Sequence, residues 1–169
     1  MYTLHVTKMI AAPIDEVFDA YTDHERLSEV FGVRSCRVTR PGDTERNGLG
    51  AVRELDCGPI RLCEEITGFE RPHRMQYRIR DSRPRADHRY GQVDFIETAQ
   101  GTQVTWTTIF GIQAPLIGKV LDPAFGIGFG VAFRLVLRNV ERRVLTARNV
   151  DASRGGAHLA SHRPAQRRP

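Results

Sequence analysis

The chain has 169 residues, 40% of them hydrophobic, 27% charged and 8% aromatic, with a net charge of +5. That length holds one domain of ordinary size, and the apolar share excludes a disordered chain. The longest apolar stretch, Phe125 to Phe133, stops at Arg134, far short of the roughly 20 residues of a membrane-spanning helix.

The positive charge excludes less than it first promises. Arg154, Arg163, Arg167 and Arg168 against Asp151 place +3 in residues 150–169, which leaves +2 for the first 149. The body therefore lacks the clustered basic and aromatic stripe of a nucleic-acid domain, and no nucleic-acid partner is expected. Cys36, Cys57 and Cys63 make an odd count with no CxxC and no zinc spacing. Met1 to His5 carries no basic segment leading into an apolar one, so no signal peptide is expected, and the thiols read as those of a reduced, cytoplasmic protein.

In chain order, residues 2–10 read as a strand of interleaved apolar and polar residues. Pro13 then opens a helix with Asp15 and Glu16 in its first turn, where negative charge suits the dipole, and Val17, Phe18, Ala20 and Tyr21 as its buried face. A second short helix is predicted from Asp23, its cap, to Val30. Six strands follow, at about 33–40, 49–56, 60–69, 74–80, 88–98 and 102–111, parted by Pro41-Gly42-Asp43, Cys57-Gly58-Pro59, Arg71-Pro72, Asp81 to Pro84 and Gln100-Gly101. Turns of that length imply an antiparallel meander.

From about Pro123 the apolar period becomes helical. Phe125, Phe129, Ala132, Phe133, Val136, Val140 and Val144 share a face opposite Arg134, Arg138, Arg142 and Arg148, after a broken lead-in from Pro115 to Pro123. The folded domain is expected to span residues 1–149. Residues 150–169, rich in Arg, Gly, Ala, Ser and Pro, are expected to be a basic, disordered tail without an apolar anchor. A curved antiparallel sheet of about seven strands wrapped around one long C-terminal helix, with two short helices after the first strand, buries every apolar face. This is an α+β architecture.

Several segments carry a resemblance. Ile10 to Phe18 (IAAPIDEVF), Gly48 to Leu55 (GLGAVREL), Glu64 to Tyr77 (EEITGFERPHRMQY) and Gly101 to Thr107 (GTQVTWT) follow one another over residues 2–148 as they do in the START-like superfamily, also called SRPBCC or helix-grip. The chain most resembles its polyketide cyclase/dehydrase and lipid-transport group. The resemblance implies an apolar cavity between sheet and long helix that takes a small hydrophobic molecule. The fold itself hosts carriers, receptors and enzymes alike. Gly126, Gly128, Gly130 and Ala132 fit two readings: space left beside the helix, or close packing of helix on sheet.

Polar groups inside such a pocket are the candidate site. Residues 51–55 and 63–65 resemble a pair of strands in the plant abscisic-acid receptors, the second of which bears a pocket carboxylate; on that resemblance Glu65 takes the carboxylate's place. Strand alternation places Cys63, Glu65, Thr67 and Phe69 on one face, and Arg53 on the neighbouring strand. The opposite face, with Ile60, Leu62, Glu64 and Ile66, is the more apolar. With Glu65 inward, Arg53 must answer it, because an unpaired buried charge is too costly. Tyr77 and Ile79 follow into the pocket, then Val93 and Phe95 from the next strand. On the last strand both Val104/Trp106 and Thr105/Thr107 fit the inner face. Thr107 is taken as lining and Trp106 as packing, and Ala132 and Val136 line the pocket from the helix.

The histidines are scattered, with His88 read as a surface residue at a strand start, so neither metal nor cofactor is expected. Two functions follow. One is binding or transport of a lipid- or polyketide-like molecule by a monomer or homodimer. The other is a polyketide cyclase, aromatase or dehydratase with Glu65 as general base. A close Arg53 partner would make that carboxylate a poorer base and favour binding.

Overall fold

Alternation from Tyr2 to Ile10 makes strand β1 (Tyr2–Ile10), which buries Leu4, Val6 and Ile10. In the computed structural model residues 2–112 and 118–160 are described, with side chains for 2–111, 126–150, 152 and 153. Pro13 caps helix α1 (Ile14–Thr22), whose first turn holds Asp15 and Glu16 and whose buried face is Ile14, Val17, Phe18, Tyr21 and Thr22. The second short helix is a 3-10 helix, His24–Glu29. Asp23 makes no side-chain cap bond to it. Its carboxylate is instead drawn to the guanidinium groups of Arg26 and Arg143, each at 3.2 Å.

Strands β2 (Ser35–Arg40), β3 (Val52–Asp56), β4 (Arg61–Glu70), β5 (Arg74–Arg83), β6 (Ala86–Thr98) and β7 (Gly101–Ile112) complete one seven-stranded sheet. Its order is β1-β7-β6-β5-β4-β3-β2, a meander of antiparallel neighbours with β1 added beside β7. Helix α2 (Gly118–Ala160) packs on β1, β7 and α1. It buries Phe133, Val136, Leu137, Val140 and Val144 at the spacing of one helical face. This is the helix-grip architecture.

Helix α2 is longer at both ends than the apolar period predicts. It begins at Gly118, before Pro123, and runs on to Ala160, past the expected limit near Asn149. Periodicity marks only the part of a helix that has a face to bury. Residues 113–117 and 161–169, parts of the expected lead-in and tail, lie outside the described residues. The glycines divide between the two readings. A Cβ on Gly126 would lie 2.5 Å from the Tyr2 ring, so this glycine permits close packing, whereas Gly128 faces open space.

Four register shifts decide which side chains face the concave side. Thr39 in β2, Thr67 in β4, Arg80 in β5 and Arg89 in β6 are each skipped in the pairing of their neighbours. Each extra residue reverses the alternation of its strand. In β4, Leu62, Glu64 and Ile66 point in, and beyond Thr67 it is Phe69 that packs against Phe18. In β6, Gly91, Val93 and Phe95 point in, and on the other side of Arg89 so does His88.

Candidate functional site

The concave face at the β3–β6 end holds a chamber of about 120 Å³. Its walls are mostly aliphatic and aromatic, with Leu55, Leu62 and Ile79 from the sheet, Leu27 from the 3-10 helix and Phe129, Ala132, Phe133 and Val136 from α2. Val33, Cys57, Ile60 and Leu62 also line an outer groove of about 540 Å³ that runs past Phe31, Gly128 and Val131. Chamber and groove are therefore neighbours that share this wall. The other end of the concave face is filled. Phe18 and Tyr21 of α1 lie edge-on to Phe95, with ring centroids 5.1 and 5.5 Å away.

The polar groups of the chamber are gathered on its floor. Arg53 donates from Nε to Glu64 Oε2 at 2.7 Å, and a second guanidinium nitrogen lies 2.7 Å from the same oxygen. Both side chains are deeply buried, at 3% and 6% exposure. Burial opposes the Arg53 charge, the Glu64 carboxylate more than offsets it, and the guanidinium is held firmly protonated. Arg53 also reaches His24 Nδ1 at 2.8 Å, while His24 Nε2 lies 3.0 Å from the Asn47 carbonyl oxygen. A guanidinium only donates and a carbonyl only accepts, so His24 is neutral with its hydrogen on Nε2. Burial, then the Arg53 charge, lowers its pKa well below the usual value.

The rest of the floor is equally committed. His88 Nδ1 accepts the Ile79 backbone N–H at 3.1 Å, so its Nε2 donates to Thr108 Oγ1 at 3.0 Å, and Thr108 in turn donates to the Tyr90 carbonyl. Burial lowers the His88 pKa as well. The Tyr77 ring stacks on His88 with centroids 5.4 Å apart and accepts the Trp106 Nε1–H on its hydroxyl at 3.0 Å. Burial raises its phenol far above the ordinary value. Gly91, paired with Tyr77 across the sheet, makes room for that ring: a Cβ there would lie 2.4 Å from Tyr77 Cζ. Behind the cluster, the buried Tyr21 hydroxyl has no hydrogen-bond partner among the described residues.

Of the residues singled out from sequence, Arg53, Tyr77, Ile79, Ala132 and Val136 line the chamber. Glu65 does not. It points to the convex side, with Arg40 at 3.3 Å and a close Arg80 partner, and the bulge at Thr67 is the reason. Alternation extended back from Phe69 selects Glu65, but Phe69 and Glu65 lie on opposite phases of the strand. Cys63 shares the outer face and lines a shallow polar depression there. Thr107 also points outward, 2.9 Å from His5 Nδ1, because Trp106 and Thr108 hold the inner phase of β7. Val93 and Phe95 face inward but are consumed by the core around α1. The residues that sequence reasoning missed are Glu64, His24, His88 and Thr108. The greasy company of Leu62 and Ile66 was the available signal for Glu64. No local pattern signals His88, since the bulge at Arg89 reverses the phase fixed by Val93 and Phe95.

Among the described residues no three His, Cys, Asp or Glu side chains gather as a metal ion would need. No described helix is long and apolar enough to cross a membrane.

Solved structures share the fold. TTHA0849 from Thermus thermophilus superposes with a TM-score of 0.71 at 21% identity, covering 86% of this chain and 99% of its own. A START superfamily protein from Mycobacterium smegmatis gives 0.59 at 10% identity, covering 80% and 97%. DynU16, a protein of the dynemicin biosynthetic locus, gives 0.58 at 20% identity over 82% of this chain and 47% of its own, so this chain matches about half of it. At these identities the likeness concerns the fold. Among curated proteins none matches the sequence. The sequence profile of the polyketide cyclase/dehydrase and lipid-transport family matches residues 1–145, and the chain, with its seven-stranded grip around α2, belongs to that family.

Proposed function

We propose that the protein binds one small, largely apolar molecule, with its polar end on the Arg53–Glu64 floor and its body extending into the groove beside α2. The observation that carries this reading is a buried ion pair at the bottom of an unfilled apolar chamber. Such a pair contributes little to stability compared with well-packed apolar residues, whereas an apolar pocket with a few convergent polar groups is what a ligand site requires. The chamber alone is below the roughly 300–1,000 Å³ of such sites. The ligand must therefore occupy chamber and groove together.

The committed hydrogen bonds favour binding over the cyclase reading. Glu65, the base considered from sequence, is on the outer surface. Glu64 is held by Arg53, and both ring nitrogens of His24 and of His88 are engaged. A general base needs a free lone pair within reach of the substrate proton; neither imidazole offers one, and the one free oxygen, Glu64 Oε1, belongs to a carboxylate already neutralised by Arg53.

The test is native mass spectrometry of gently purified protein, with organic extraction, beside titration with fluorescent fatty-acid and polycyclic probes. The expected result is saturable one-to-one binding that Ala132→Phe, which plugs the junction of chamber and groove, weakens at least tenfold. No binding by the wild type, or binding indifferent to Ala132→Phe, would sink the proposal.

A further inference from the structure

We infer that the chamber selects a neutral ligand presenting a hydroxyl hydrogen, an alcohol or phenol, over the carboxylate or the plain hydrocarbon of the same skeleton. The inference rests on the binding reading above and adds the chemistry of the ligand's polar end. Its basis is the unequal use of the two Glu64 oxygens. Both contacts from Arg53 fall on Oε2. Oε1 receives no hydrogen bond from any described residue, although the side chain is 6% exposed and forms part of the chamber lining. Oε1 opens on the chamber rather than being enclosed by protein, and a carboxylate oxygen facing apolar walls is a strong acceptor that is costly to leave unanswered. What answers it must come from the chamber, and must be a donor.

The other floor groups sharpen the choice. Arg53 looks like an anion receptor but is already neutralised by Glu64, and its remaining contact goes to His24. His24 and His88 are neutral, with both ring nitrogens engaged. An incoming carboxylate therefore meets the Glu64 charge in apolar surroundings with no free cation to hold it. A hydrocarbon leaves Oε1 unsatisfied. A hydroxyl donates to Oε1 and places its carbon skeleton against Phe133, Ala132 and the groove.

Two matched trios test this by competition against a bound fluorescent probe near neutral pH: 2-naphthol, 2-naphthoate and naphthalene, and 1-decanol, decanoate and decane. In a trio that binds, the alcohol should bind about 10- to 100-fold tighter than either companion, the range of a hydrogen bond to a charged acceptor. Glu64→Gln keeps the shape and leaves Arg53 without its counter-charge, so in that variant the carboxylate should overtake the alcohol. Equal or tighter binding of the carboxylate or the hydrocarbon by the wild type overturns the inference and spares the binding reading. A folded Glu64→Gln protein with the wild-type order overturns it too. If Glu64→Gln does not fold, the wild-type comparison still decides. If no member of either trio binds, the binding reading fails and takes this inference with it.

Discussion

Removing one partner of the Arg53–Glu64 pair should cost far more than removing both. Arg53→Met deletes the guanidinium but keeps an apolar side chain of similar length. It leaves the Glu64 carboxylate 6% exposed and without its cation, and it strips the donor from His24 Nδ1. Breaking a buried pair in this way costs about 3–5 kcal/mol, a large part of the ~5–15 kcal/mol that holds a domain together. At roughly 2–4 °C per kcal/mol for a chain of this size, the melting temperature should fall by about 10 °C. The double variant Arg53→Met/Glu64→Leu removes both charges and both desolvation costs, and should lie within about 1 kcal/mol of the wild type or above it. The control is Glu65→Ala. Its partners Arg40 and Arg80 are at least half exposed, so its loss should stay below about 1 kcal/mol. Urea unfolding measures the wild type, the single variants Arg53→Met and Glu64→Leu, the double variant and Glu65→Ala, provided the slopes agree. Additive losses, with the double variant as unstable as the two singles combined, would refute the claim that the pair is buried and mutually dependent.

Stability should fall on mild acidification. His24 and His88 have lowered pKa values when folded, so below the unfolded value of about 6.5 the unfolded chain takes up protons that the folded chain refuses. Each histidine still neutral at about pH 5.5 then costs about 1.4 kcal/mol relative to pH 7.5. In urea midpoints, His24→Gln should flatten this dependence, and an unchanged slope would contradict the assigned neutral state. Gly91→Ala should destabilise by about 1–3 kcal/mol through overpacking, because its Cβ meets the Tyr77 ring. Altered tryptophan fluorescence should report the disturbed Trp106–Tyr77 bond, and wild-type emission and stability would count against the close approach. Cys36, buried and with its thiol pushed up to about 11 by burial, should label with a disulfide reagent far more slowly than Cys63. Equal rates would place Cys36 at the surface.

The elements, their order and the single antiparallel sheet could be read from the sequence because each rests on a local period or a turn signal. Alternation, however, carries a face assignment only as far as a strand pairs without interruption. Tyr77 and Ile79 lie on a stretch of β5 before its bulge, and Arg53 on a strand paired continuously with β4, and their inward direction follows from alternation alone. Glu65 lies across a bulge from Phe69, and His88 across one from Val93 and Phe95, so alternation from those residues carries a face to neither. Charge pairing survived the error in a way that register did not. A buried arginine requires a carboxylate on an adjacent strand whichever way that strand is phased, and β4 offers two in succession. The structure chooses Glu64, which leaves Glu65 for Arg40 and Arg80. Cavity volume had no such local signature. It depends on how far Phe129 and Phe133 stand from the sheet, and thus on Gly126 seating the helix against Tyr2 while Gly128 leaves its own surroundings open. One glycine of the run closes a contact and the next leaves a gap. Composition alone therefore cannot say whether a small-residue stripe packs or opens, and only the partner strand decides.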